Sequence, residues 1–226
     1  RIMGPSGTSS RRSCQQTPSP SAARCLWRRT GLVSTRWTLA AAAKAVAEGF
    51  YALADQHGCA LIGGDTTRSL QGITLSVTVF GEVEPTLALR RNAAQLGDDI
   101  WVSGVLGAAD IACRMLAGEI PLDAALLQAT RQALEWPTPR VELGQQLRSY
   151  AHAAIDVSDG LLQDLGHILA ASGVGAELHE QALPLHPALI ESLEQTLPPE
   201  VLRRAVLAGG DVYELCLTAA PAPRAM

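Results

Sequence analysis

The chain lacks most of the signatures that assign a protein quickly. No apolar run approaches the ~20 residues that span a membrane; the longest, Leu39 to Ala47, is interrupted by Lys44. No apolar core segment follows the N-terminus, so the head does not read as a secretory signal. Residues 1–36 contain no acid, and Lys44 is the sole lysine. There is no Gly-x4-Gly-Lys-Ser/Thr phosphate loop, no Gly-x-Gly-x-x-Gly fingerprint, no His-Glu-x-x-His and no Gly-x-Ser-x-Gly elbow. Nucleotide chemistry, if present, uses another scaffold. The cysteines are Cys14, Cys25, Cys59, Cys113 and Cys216. Their odd number and the lack of a Cys-x-x-Cys pair exclude an evident disulfide framework or zinc site, which points to a reducing cytoplasm. Cys59 and Cys216 sit in apolar runs and read as ordinary buried thiols.

What is present is uneven. The formal charge of −4 combines a head bearing seven arginines (Arg1, Arg11, Arg12, Arg24, Arg28, Arg29, Arg36) with a body of 11 bases and 22 acids. An acidic body argues against a nucleic-acid binder, which needs a basic face. A hydrophobic content of 47% suits a globular protein. The head, 1–36, shows no period and reads as disordered or non-native. Its composition fits a transit peptide or an out-of-frame translation of GC-rich DNA.

Order is expected from near Trp37. A helix is expected over Leu39–His57, with Gly58 as its stop, then a strand Cys59–Ile62. Alternation over Ile73–Val83 predicts a half-buried strand. Glu84-Pro85-Thr86 reads as a domain joint. Beyond it come a strand Ile100–Ser103, helices ending near Gly118, opening at Pro121 and spanning Val141–Tyr150, and a strand Ala153–Ile155. A helix Leu161–Ala171, a strand Ala176–Leu178, helices Pro187–Gln195 and Pro199–Leu207, and a strand Val212–Leu217 complete the pattern. Alternating strands and helices argue α/β or α+β.

Three loops share a design in which an apolar strand ends in a Gly/Asp/Ser/Thr turn: Gly63–Thr67, Asp156–Gly160 and Gly209–Asp211. Glycines let a backbone approach a phosphate, and aspartates offer the hard oxygens Mg²⁺ prefers. Asp65, Asp156 and Asp159 together would repel unless a cation neutralised them; with ATP phosphates they would make a phosphoryl-transfer site. Each also has a plainer reading: Asp65 accepts bonds inside a turn, and Asp159 caps the helix after Gly160. Arg90-Arg91 reads as a phosphate contact or a solvated pair. Asp98 and Asp99 read as turn residues, Asp164 and His167 as a surface pair, and His152, His179 and His186 as surface residues.

The ordered segments Leu61-Ile62-Gly63-Gly64-Asp65-Thr66-Thr67-Arg68, Leu96-Gly97-Asp98-Asp99-Ile100-Trp101-Val102-Ser103-Gly104, Ala154-Ile155-Asp156-Val157-Ser158-Asp159-Gly160-Leu161 and Gly209-Gly210-Asp211-Val212-Tyr213-Glu214-Leu215 closely resemble the thiamine-monophosphate kinases. Pro137-Thr138-Pro139-Arg140-Val141 fits as well. The resemblance runs from about Phe50 to Leu217. It implies a two-domain, α/β and α+β, aminoimidazole-ribonucleotide-synthetase-like fold. On it, 37–85 is the remnant of a truncated N-terminal domain that binds ATP and Mg²⁺ and dimerises, and 86–226 is a C-terminal domain incomplete at its end. It implies ATP-dependent phosphorylation of thiamine monophosphate to thiamine diphosphate in the cytoplasm, by a homodimer, with no nucleic acid and no membrane. Gly64, Asp65, Arg91 and Ser158 would meet ATP, Asp65, Asp156 and Asp159 would bind Mg²⁺, and Asp211 would contact the substrate, with no protein nucleophile. Asp211 stands where the family has Glu, and Val212 where it has an acid. The family's N-terminal Gly-Asp-Asp, Ser-Thr-Asp and Asn-Leu-Ser-Asp segments, and a C-terminal aromatic contact, have no counterpart here. This favours the out-of-frame reading of the head and a fragment with little activity. The alternatives are another ATP-using synthetase of the superfamily, or a non-catalytic pseudokinase or dimerisation module.

Overall fold

The structure, a computed structural model, describes residues 2–3, 26–32, 39–67, 74–192 and 197–221. The expected onset of order at Trp37, the start of a strand at Ile73, the helix end at Gln195 and most of the final Pro/Ala stretch lie outside these residues. So does the head, apart from two pieces. One is β1 (Ile2–Met3). The other is β2 (Leu26–Leu32), a strand running through a stretch the sequence reading set aside. The chain divides into one unit of Pro20–Leu87 and another of Arg1–Ser19 with Ala88–Met226.

In the Pro20–Leu87 unit, β2 is the central strand. α1 (Leu39–Gln56) follows it, and Gly58 at φ +64 ends the chain's helical course. β3 (Ala60–Leu61) and β4 (Gly64–Asp65) pair with β2 in parallel, while β5 (Leu75–Phe80) pairs with it antiparallel. β5 keeps the expected alternation but is exposed at every position, where half-burial was expected. Within the unit, Ala54 and Cys59 are buried.

The larger unit holds β6 (Asp99–Val102), α2 (Ala108–Leu116), α3 (Ala124–Glu135), α4 (Val141–Leu147), β7 (Ala151–Asp156) and α5 (Leu161–Ser172). It continues with β8 (Gly175–Ala176), which pairs with β1, then α6 (Pro187–Ser192), α7 (Pro199–Ala208) and β9 (Leu215–Ala219). β9 lies between β6 and β7, antiparallel to both. Neighbouring residues on a strand face opposite sides. Cys216 of β9 accordingly joins Ile155, Val157, Leu161, Leu165, Ile168 and Ala205 in the main core, while Leu217 packs with Leu89, Ala151 and Ala154 behind the sheet. Burial pushes the Cys216 thiol up to about 12, which makes it the inert core thiol the sequence suggested.

Local chemistry sets the element ends. Asp123, rather than Pro121, opens α3: its Oδ1 accepts from the amides of Ala125 and Leu126 at 2.9 and 3.0 Å. Gly173 closes α5 in the left-handed region. β9 starts at Leu215 and not at Val212, because Asp211 and Tyr213 take φ +59 and +53, which no strand accommodates.

Candidate active site

β7 ends at Asp156, and α5 begins at Leu161. The four residues between make the first loop, with Asp156 half-buried, Asp159 exposed and Val157 fully buried as an anchor. Asp164, in the first turn of α5, organises this loop. It is 2% exposed, and its Oδ2 accepts from the backbone N–H of Ser158, Asp159 and Gly160 at 3.0, 3.0 and 3.1 Å. Burial holds its carboxyl above the usual range, opposed by these amides and reinforced by the charges of Asp159 and Asp156.

The second loop, Gly209–Glu214, is laid on the first. The Val157 amide donates to Glu214 O at 2.7 Å, the Tyr213 amide to Val157 O at 2.8 Å, and the Asp211 amide to Ser158 O at 2.9 Å. Glycine is required where the backbones meet. A Cβ on Gly160, at φ +115, would lie 2.7 Å from Ala208 C, and one on Gly210 would lie 2.7 Å from Ser158 O. Asp156, Ser158, Asp159 and Asp211 are thus gathered at one end of the sheet. Tyr213 joins them by donating its hydroxyl to Asp211 Oδ1 at 3.1 Å. Burial, that bond and the charges of Asp211, Asp156 and Asp159 raise the phenol above its ordinary value, so it remains a donor at neutral pH.

Behind the second loop, Glu214 is buried and ion-paired. Arg140 donates through Nε to Oε2 at 2.8 Å and through Nη2 to Oε1 at 2.5 Å, which raises the guanidinium further above its ordinary value. Ser103 Oγ donates to Glu214 Oε2 and accepts the Leu215 amide at 2.8 Å. The pair borders a cavity of about 220 Å³ that Trp136, Pro137, His186 and Val212 also line.

Arg91 belongs to the same unit. Ser172 Oγ donates to its carbonyl at 2.9 Å, and its Nε is buried without a hydrogen-bond partner. Gly64 and Asp65 form β4 of the other unit, both exposed, with Asp65 Oδ1 accepting the Thr66 amide at 2.8 Å as in a turn. Among the described residues no three His, Cys, Asp or Glu side chains cluster as a metal cage. Asp156 and Asp159 nonetheless suit Mg²⁺, which binds through one or two carboxylates plus substrate phosphates and keeps several waters.

Residues 24–83 match the family model described as AIR synthase related protein, N-terminal domain. That match begins inside the stretch read from sequence as a head and takes in β2. The thiamine-monophosphate kinase of Haemophilus influenzae is 41% identical over 167 residues, covering 74% of this chain and 49% of that protein. The crystal structure of thiamine-monophosphate kinase from Stenotrophomonas maltophilia K279a aligns with a TM-score of 0.78 at 48% identity, covering 88% of this chain and 62% of that one. Over about three quarters of its length the chain is similar to thiamine-monophosphate kinases. A structure described as AaThiL complexed with AMPPCP and TMP aligns at TM-score 0.74 and 28% identity, over 88% of this chain and 63% of that one. The chain spans about half the length of the curated thiamine-monophosphate kinases it matches. The aminoimidazole-ribonucleotide-synthetase-like fold expected from the motifs is the fold found.

Two sequence readings need correction. Asp164 is not a surface residue paired with His167; His167 is exposed, but Asp164 is buried under the loop. The available signal was its place in the first turn of α5, from which an acid reaches back to free amides as in a capping box. His152 is not a free surface histidine either: its Nδ1 lies 2.8 Å from Oδ1 of Asp98, which is 2% exposed. Asp98 keeps its turn role, accepting the Gln95 amide at 2.9 Å. His186 is half-buried, with Nδ1 accepting the Ala188 amide at 3.3 Å, and His179 is exposed as expected. Tyr213 went unassigned in the sequence reading, because nothing in a pattern of residue types marks a side chain that folds back on its own loop.

Proposed function

We propose that the protein to which this chain belongs phosphorylates thiamine monophosphate to thiamine diphosphate with ATP, as a cytoplasmic homodimer. The observation that carries this reading is the interlock of the Asp156–Gly160 and Gly209–Glu214 loops, which brings Asp156, Ser158, Asp159 and Asp211 to one strand end. Asp156 and Asp159 would hold Mg²⁺ through their carboxylates, and Asp65 of the Pro20–Leu87 unit is proposed as a Mg²⁺ ligand in its own right. Bound Mg²⁺ would neutralise the phosphate charge. Ser158 is proposed as a nucleotide contact of the larger unit, and Gly64 and Asp65 as nucleotide contacts of the Pro20–Leu87 unit. Arg91, with its Nε buried and unpartnered, is a ready donor to a phosphate oxygen. Asp211 contacts the substrate, its orientation fixed by the Ser158 carbonyl and by Tyr213. A substrate phosphate oxygen bonds to the γ-phosphorus as the bond to the β-phosphate oxygen breaks and ADP leaves. The protein supplies positioning and charge, with no covalent intermediate. The present chain retains part of this machinery, so nucleotide binding is expected to exceed turnover.

Calorimetry with Mg²⁺ and the ATP analogue AMPPCP tests this directly. The chain binds the nucleotide only with Mg²⁺ present, and Asp156→Asn and Asp159→Asn each weaken binding by about tenfold, as expected for loss of a charged ligand. Absence of binding, or binding indifferent to Mg²⁺ and to both substitutions, would refute the reading.

A further inference from the structure

Asp164 accepts three hydrogen bonds from the first loop, yet lies outside the segments that carry the resemblance. One buried carboxylate oxygen takes three consecutive backbone amides, from Ser158, Asp159 and Gly160. Charge-assisted hydrogen bonds of this kind are stronger and more directional than neutral ones, and three acting on consecutive residues fix a loop rather than decorate it. The fixed loop is then a template. Its carbonyls at Val157 and Ser158 receive the amides of Tyr213 and Asp211 at 2.8 and 2.9 Å. Those two residues take left-handed backbone, φ +53 and +59, which costs free energy away from glycine and persists only where the surroundings enforce it. The backbones also lie too close for side chains between them: a Cβ on Gly160 would meet Ala208, and one on Gly210 would meet the Ser158 carbonyl.

We infer that Asp164 is the positioning residue of the site: by clamping the 158–160 amides it sets the Asp156–Asp159 loop, and through the Val157 and Ser158 carbonyls it imposes the conformation of the Asp211 loop. This rests on the functional reading above only for what the two loops bind. Asp164 touches no substrate on this view. Its effect reaches the second loop through backbone alone.

The test uses the full 226-residue chain, with Asp164→Ala, which removes the acceptor, and Asp164→Asn, which keeps a neutral one. Amide hydrogen exchange is read residue by residue. Exchange at 158–160 rises by about tenfold to a hundredfold in the alanine variant and less in the asparagine variant, in keeping with the worth of hydrogen bonds to a charged group. The decisive readout is Asp211 and Tyr213, which Asp164 does not touch. Their exchange rises at least several-fold in both variants, while Cys216 and Leu217 in β9 stay at the wild-type rate. If the alanine variant does not fold, the asparagine variant carries the comparison. Wild-type exchange at 211 and 213 in the folded variants overturns the inference. So does a rise spread evenly across β9, which would make Asp164 a residue of general stability. In parallel, Mg²⁺–AMPPCP binding weakens about tenfold in the asparagine variant. A wild-type chain that binds no nucleotide but shows the coupled exchange pattern would sink the functional reading and support the loop coupling.

Discussion

Arg140→Ala offers the sharpest test of how the second loop is anchored. The substitution removes both guanidinium bonds to Glu214 and leaves that carboxylate, 10% exposed, with Ser103 as its remaining side-chain donor. Breaking a fully buried ion pair from one side costs about 3–5 kcal/mol, whereas an exposed pair is worth about 0–1 kcal/mol. Arg140 is 34% exposed, and the adjoining cavity gives water a route to the orphaned oxygen. An intermediate loss of about 2–3 kcal/mol follows. At about 3 °C per kcal/mol for a unit of this size, the melting temperature falls by about 6–9 °C. Urea unfolding followed by tryptophan fluorescence is well placed to see it, since Trp136 lines the same cavity. The companion variant combines Arg140→Met with Glu214→Leu. If the loss in the single variant is the cost of a stranded charge, the pair of apolar residues restores most of the stability. A single variant costing under about 1 kcal/mol, or a double variant no better than the single, would refute the reasoning.

Two other outcomes follow from the packing. Gly160→Ala must place a Cβ 2.7 Å from the Ala208 backbone at φ +115; thermal unfolding is expected to show a loss of about 2–4 kcal/mol, and a change under about 0.5 kcal/mol would contradict the geometry. Asp110 is held above its ordinary pKa chiefly by burial, against the pull of Arg114 and Arg204. A raised carboxyl binds its proton in the fold at pH values where the unfolded chain has released it. Its stabilising contribution is therefore complete below the ordinary carboxylate pKa and is lost as pH rises through the folded value. Asp110→Asn should gain stability relative to wild type across that interval, and a difference that stays flat with pH would count against it.

Much of the larger unit was legible because its signals are local. Proline and glycine punctuate α7 and α5, and the apolar spacing of Leu161, Leu165 and Ile168 gives away the buried face of α5. The strand-end loops were legible from composition, since Gly, Asp and Ser next to an apolar run have few other uses. What escaped depends on distance in space. β5 alternates like a half-buried strand, but alternation reports only that two faces differ and not that one is covered. The start of β9 was misplaced because Val212-Tyr213-Glu214 has strand propensity, and the backbone bonds from Val157 and Ser158 override it. Asp164 was misread for the same reason: its partners are amides, which every residue carries and no sequence pattern displays. β2 lies in a stretch whose Arg, Ser and Thr content hides any period.

The central position of β9 has a consequence for how the chain is made. β6 and β7 do not pair with one another; each pairs with β9. Ser103, at the end of β6, meets its partner Leu215 across 112 residues of sequence. On the ribosome, both outer strands therefore emerge with open edges, and even the later one, β7, waits through the synthesis of α5, α6 and α7 before the strand that joins them exists. Contacts of such long range are slow to form, and unpaired strand edges are exposed to association with other chains in the interval. The rate at which residues 157–214 are translated should thus govern the yield of folded protein more than any single residue of the sheet.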